Sequence, residues 1–304
     1  MDAYNVPGWF CPAGREQFMR SVRALSALAF FVALTNWSTV PLYGGDAAMK
    51  PEELVARHLD AVGSKEARAA AKTRVVQGAA VYRILVGGGG IAEGKTGLVS
   101  DGRKVRFMMK FQTDYRGETF VSDGDTVRVA FSNSNQSRSP LASFVTTYDV
   151  IVRDGLLGGV LSTGWALSDV GDRKAKLIYE GLKKLDGRPV HQIRYEPRKH
   201  SDAEILLFFD AETFHHVKTT YSIANGNLPG ATITESVNVR ADRSQLEERF
   251  SDFKTVDGLT LPTHWNLQFT RELPNGSTTL SEWDLKEDQI TNNVGLDPKN
   301  FELK

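Results

Sequence analysis

The chain has 304 residues, of which 41% are apolar and 24% charged, enough apolar surface to bury a core of one large or two ordinary domains. Lys plus Arg and Asp plus Glu each number 37, so the chain lacks the positive surplus on which sequence-independent nucleic-acid binding depends. A single cysteine, Cys11, excludes intramolecular disulfides and zinc sites built on several thiolates.

The N-terminal segment reads as a secretory address. Arg20 and Arg23 precede an apolar run, Ala24 to Leu34, that has signal-peptide length and is too short to span a bilayer comfortably. Met19 is the more conventional start, and Gly44, Gly45, Ala47 and Ala48 supply the small residues of a cleavage site near Ala48. Residues 1–48 are therefore expected to be an N-terminal extension and signal, and 49–304 the domain of a periplasmic or secreted protein. No cysteine follows the run to accept a lipid, and no integral membrane span is expected in the mature chain.

Leu54, Val55, His58, Leu59 and Val62 recur at helical spacing over 51–62, with Gly63 as the stop. His58 falls on the apolar face and reads as a packed histidine. Beyond Thr73 the rhythm changes to short strands. Asp-Gly pairs at 101–102, 123–124, 186–187 and 257–258 mark hairpin turns, because this dipeptide accepts the positive φ values such turns need. Period-two patterning is clearest in Val105, Phe107, Met109 and Phe111, and again in Trp265, Leu267 and Phe269.

Residues 89–96, Gly-Gly-Ile-Ala-Glu-Gly-Lys-Thr, spell a complete phosphate-binding string, and Ile205 to Asp210 resembles its metal-holding companion. In a nucleotide enzyme Lys95-Thr96 would open a helix whose N-terminal N–H groups meet the phosphates. Here it leads into Gly97-Leu98-Val99-Ser100-Asp101-Gly102, a strand and a turn, and about one chain in a hundred of this length carries such a string by accident. Gly87 to Gly90 reads as a flexible strand connection.

Ser139-Pro140 caps a second amphipathic helix carrying Leu141, Phe144, Val145, Tyr148 and Val152, which Asp154-Gly155 ends. The glycine-rich stretch from Leu156 to Trp165 then allows two readings: a segment packed closely on the sheet, or a movable cover over an apolar cavity. Strands resume through 177–179, 190–195, 205–209, 214–223, 232–239, 246–254, 259–270 and 278–285. This order predicts one α+β domain in which a strongly curved antiparallel sheet forms an incomplete barrel, with helices in or over its concave apolar face.

Three segments carry a resemblance to a known family: Lys184-Leu185-Asp186-Gly187-Arg188-Pro189-Val190-His191-Gln192-Ile193, Phe209-Asp210-Ala211-Glu212-Thr213-Phe214, and Phe250 to Pro262 with its Asp257-Gly258 turn. They resemble successive hairpins of the outer-membrane lipoprotein-sorting proteins, the LolA and LolB-like periplasmic carriers, and Leu296 to Leu303 resembles the end of such a chain. The resemblance implies a half-barrel, closed by helices, that shelters acyl chains of lipoproteins or other lipids, with a lipid or lipidated protein as partner; no enzymatic activity and no cofactor are expected. An envelope sensor that meets protein partners on the same scaffold is the alternative. The expected cavity and lid residues are Phe107, Met109, Phe111, Phe144, Leu156, Leu157, Leu161, Trp165, Trp265 and Phe269. No catalytic residues are expected. If His215 and His216 lie on a strand they point to opposite faces and do not share a metal, His264 faces solvent beside Trp265, and the mature region has no G-x-S-x-G, H-E-x-x-H or cysteine nucleophile.

Overall fold

A computed structural model of the protein describes residues 49–131, 135, 137–199, 201–225 and 242–303. The expected signal segment 1–48 and the expected strand at 232–239 lie outside the described residues.

The described chain opens with helix α1 (Pro51–Val62), which starts on a first-turn proline and buries Leu54, His58 and Val62 at helical spacing. A one-and-a-half-turn helix α2 (Lys65–Ala70) follows, capped by the Ser64 hydroxyl accepting from the Ala67 N–H. Five strands come next: β1 (Thr73–Val86), β2 (Ile91–Asp101), β3 (Lys104–Phe111), β4 (Thr119–Ser122) and β5 (Val127–Val129). An insertion of short helices, α3 (Pro140–Thr147), α4 (Val150–Arg153) and α5 (Val170–Arg173), separates these from β6 (Lys176–Leu185), β7 (Arg188–Glu196), β8 (Glu204–Asp210), β9 (His216–Asn225), β10 (Asp242–Val256), β11 (Leu259–Glu272) and β12 (Thr278–Asn292).

Among the described residues these strands form one twelve-stranded sheet in the order β5-β4-β3-β2-β1-β12-β11-β10-β9-β8-β7-β6. Every neighbouring pair is antiparallel, and the sheet is not closed. All pairs but one join consecutive strands; the exception is β1 with β12, which unites two meanders. Asp186-Gly187 and Asp257-Gly258 adopt φ values of 51° and 81°, and of 51° and 76°, the left-handed pair that a tight hairpin requires. One face of the sheet is apolar and buried, as the alternation of β3 (Val105, Phe107, Met109 and Phe111 inward) illustrates.

The second expected helix is divided. Ser139 caps α3 through its hydroxyl, but the helical dihedrals fail at Tyr148 (ψ 57°), and the chain resumes as α4. Thr146 and Thr147 hydroxyls bond back to the carbonyls four residues earlier, which competes with the backbone ladder at the point where α3 stops.

Lys95 and Thr96 sit in the middle of β2, with Lys95 exposed on one face and Thr96 buried on the other. A strand interior offers no fan of N–H groups to a phosphate, because its donors are committed to β1 and β3. The string is not a nucleotide site.

Candidate functional site

One group of aromatic residues gathers around β1, β12 and the turn after β3. Tyr82 on β1 and Trp283 on β12 are register partners on the inward face, with ring centroids 5.4 Å apart. Tyr115, on the turn after β3, lies 4.5 Å from Tyr82 and 5.6 Å from Phe111. Trp283 Nε1 donates to Tyr115 Oη at 2.8 Å, and that hydroxyl donates in turn to Glu118 Oε1 at 2.8 Å. Burial and the adjacent Glu118 carboxylate push the Tyr115 phenol well above its usual range, so it serves as a neutral donor. Tyr82 Oη and Ser281 Oγ are 3.4 Å apart. The polar tips of the wall thus have partners within it, and the rings present apolar faces.

Beside this wall is a cavity of about 630 Å³, lined by Tyr82, Ile84, Leu141, Phe269 and Trp283, with Thr279 and Ser281 on the β12 side and Asp114, Asn135, Arg138, Ser139 and Pro140 toward solvent. This volume lies inside the range of small-molecule and cofactor sites. Some large apolar side chains are exposed outside the cavity lining. Leu85, Val86 and Ile91, at the glycine-rich end of the β1–β2 hairpin, are 45%, 43% and 67% exposed, and Phe131, under the Arg138 guanidinium, is 56% exposed. Only Leu182 completes the exposed large hydrophobics among the described residues.

The ten residues expected from the sequence are all buried, but they divide among three regions. Phe269 lines the cavity, Phe144 packs on it at 5.2 Å, and Phe111 backs the aromatic wall. Phe107 stacks near Trp265 at 4.5 Å deeper in the core, where Met109, Leu156, Leu157 and Leu161 are also enclosed.

Trp165 lies with a third group. Its indole N–H donates to His58 Nε2 at 3.0 Å, its ring stacks on His216 at 4.8 Å, and His58 Nδ1 contacts the Phe214 carbonyl at 3.0 Å. Donating from Nδ1 and accepting at Nε2 requires the neutral imidazole, and burial lowers the His58 pKa to about 4. His216 is likewise pushed well below its usual value by burial and by His58.

The stretch between Gly155 and Trp165 is tied to the sheet along its length. Glu248 Oε1 accepts from the Gly158 N–H, Arg74 donates to the Val160 carbonyl at 2.6 Å, and Thr163 bonds Ser100 and Gly102. Gly158 (φ 77°) and Gly159 (φ 51°) use conformations that L side chains rarely adopt, and a Cβ on Gly159 would sit 2.8 Å from His216 Nδ1.

His215 precedes β9 and stacks on Phe253 at 4.3 Å, while His216 opens the strand and is buried. His264 bonds Ser251 and Asp284 through side chains on the sheet's other face. Among the described residues no group of three or more His, Cys, Asp or Glu is placed to hold a metal ion, and no helix is long and apolar enough to cross a membrane.

Of the cavity's lining residues only Phe269 was among the expected site residues; the apolar and aromatic wall residues Tyr82, Ile84, Tyr115, Leu141 and Trp283 were missed. The available signal was the inward alternation Ala80-Tyr82-Ile84 opposite Leu285-Trp283-Ser281, which sets the largest side chains at the same ends of two strands.

An open antiparallel sheet with an aromatic-walled cavity at one end defines the structural class. No family model matches the chain, and no curated protein does. Solved structures similar to it include a LolA superfamily protein from Nitrosomonas europaea, at 14% identity and TM-score 0.45, covering 84% of this chain and 99% of that one. An outer membrane lipoprotein-sorting protein domain from Vibrio parahaemolyticus is similar at 12% identity and TM-score 0.43, covering 81% and 97%. A DUF1329 family protein from Desulfovibrio piger is similar at 13% identity and TM-score 0.40, covering 83% and 95%.

Proposed function

We propose that the chain is a non-enzymatic binding protein for a lipophilic ligand of the cell envelope, exported by its N-terminal segment 1–48 to the periplasm or beyond. In this reading residues 49–304 form an incomplete barrel with the helices against its concave face, and the cavity beside Tyr82 and Trp283 takes an acyl chain of a lipid or lipidated protein.

The observation that carries the proposal is a cavity of about 630 Å³ whose inner wall is the apolar and aromatic set Tyr82, Ile84, Tyr115, Leu141, Phe269 and Trp283, opening past Arg138, whose guanidinium lies over exposed Phe131. A concave site walled by aromatic and aliphatic side chains, with a few polar groups at its mouth, suits an apolar ligand. Each methylene taken from water into such a wall contributes ~0.8 kcal/mol, so burial of the acyl chain is the main source of binding free energy in this reading. The Gly155–Trp165 stretch is then a fixed plug in the core, because its N–H and C=O groups are bonded to β1, β2 and β10.

Native mass spectrometry of the protein purified from its own envelope, with organic extraction of bound material, tests the proposal. A co-purifying lipid, displaced by a fluorescent acyl probe and excluded by the cavity-filling Ser281→Trp variant, is the expected result. A protein that carries no lipid and takes up no probe would overturn it, leaving the envelope-sensor reading with a protein partner.

A further inference from the structure

The cavity's charged groups are confined to its solvent side, and they are of opposite sign. Asp114 stands on the turn between β3 and β4; Arg138 stands two residues before α3. Both line the same cavity and both are exposed. Among the described residues neither forms an ion pair, with the other or with any third group. The contact that Arg138 does make, its guanidinium 5.7 Å from the Phe131 ring centroid, leaves its hydrogen-bond donors open while steadying the group at the rim.

The deeper wall offers a contrast. Trp283, Tyr115 and Glu118 are joined to one another by hydrogen bonds, and Tyr82 faces Ser281. A ligand filling the cavity therefore meets apolar faces below and one cation and one anion above. A fatty acid or an acidic phospholipid would match Arg138 but set its anion near the Asp114 carboxylate. A neutral glyceride would leave both charges without a partner. A head group with both signs satisfies each side: phosphate accepts from the planar guanidinium, and ammonium donates to the carboxylate.

Resting on the cavity reading above, we infer that the ligand of this site is a zwitterionic glycerophospholipid, its acyl chain on the Tyr82–Trp283 wall and its head group between Arg138 and Asp114.

Competition binding on the full chain tests this, using phosphatidylethanolamine, phosphatidylglycerol, phosphatidic acid and diacylglycerol with identical acyl chains, read by native mass spectrometry. The wild type is expected to favour phosphatidylethanolamine about fivefold over each of the others, the scale of a partly exposed ion pair. Asp114→Asn should abolish the preference over phosphatidylglycerol without weakening phosphatidylglycerol itself. Arg138→Gln should bring phosphatidylethanolamine down to the level of diacylglycerol. Both residues are exposed, so unchanged melting temperatures serve as the folding control.

Equal occupancy by all four lipids, or a preference that survives Asp114→Asn, would overturn the inference while leaving a lipid-binding cavity intact. Chain-free glycerophosphoethanolamine binding as tightly as the lipid would also overturn it, since the site would then be one for a soluble metabolite. Uptake of none of the lipids would remove the cavity reading itself, and this inference with it.

Discussion

Acid should unfold this protein through His58, and the size of the effect follows from its surroundings. His58 is fully buried, takes the indole N–H of Trp165 on Nε2, and gives its Nδ1 proton to the Phe214 carbonyl. A second proton would have to displace the Trp165 donor in a region that excludes water, and the folded-state pKa falls from 6.5 to about 4. The unfolded chain binds that proton near pH 6.5 and the folded chain only near pH 4, so stability from this group is complete above pH 6.5 and lost as pH falls toward 4. At ~1.4 kcal/mol per pH unit the loss reaches about 3 kcal/mol. His216, shifted in the same direction, adds to it. Urea unfolding between about pH 4 and pH 7.5 gives the wild-type slope. His58→Gln offers an amide oxygen to Trp165 and an amide N–H to Phe214 but cannot ionise, so its acid loss should be smaller by about 3 kcal/mol. Parallel curves for the two proteins would refute this account of the cluster.

Three further outcomes are expected. Gly158→Val with Gly159→Val should lower stability by ~1–3 kcal/mol per site through overpacking, with left-handed strain added, and Trp165 emission should not respond to lipid in either protein; a stable double mutant that loses a lipid-dependent Trp165 signal would instead make the segment a cover. Glu287 is buried, and desolvation together with Asp288 raises its pKa to about 8, so its contribution is complete below pH 4.5 and lost as pH rises from there through 8; Glu287→Gln should flatten that loss in a urea series extended to about pH 9. Lys95→Ala should change stability by less than ~0.5 kcal/mol, and neither protein should bind ATP with Mg²⁺ in equilibrium dialysis, because Lys95 is an exposed strand residue.

The local chemistry of the turns made the sheet readable. Asp186-Gly187 and Asp257-Gly258 need positive φ at both positions, a demand few dipeptides meet, and each announces the strands on either side. Helix α1 was equally plain, because Leu54, His58 and Val62 hold a single stripe. Helix α2 was not, since Lys-Glu-Ala-Arg-Ala-Ala buries no residue and so leaves no periodic trace. The break between α3 and α4 depends on side-chain bonding to the backbone, which an apolar repeat of three and four does not record.

The candidate site was harder to see than the fold for a different reason. Its wall is drawn from β1, β11, β12, the turn after β3 and the start of α3, and nothing in the spacing of Tyr82, Tyr115, Leu141, Phe269 and Trp283 states that they meet. The alternation that correctly placed Phe107 and Met109 inward gave their face but not their depth. The exposure of Leu85 and Ile91 could likewise be found only from the structure, because in the sequence they look like ordinary core residues.

The pairing of β1 with β12 governs the order in which the molecule can assemble. Each meander can form from neighbouring hairpins, whereas this seam joins the first strand to the last, from Arg74 with Asn292 to Val86 with Leu280, and must wait for both. Until it forms, β1 is a 14-residue edge without proline, carrying Val75, Val76, Val81, Ile84 and Leu85. Such an edge is a template for intermolecular pairing. A nascent or truncated chain ending before Thr278 is therefore the aggregation-prone species, and slow refolding with losses that grow with protein concentration is the behaviour this topology imposes.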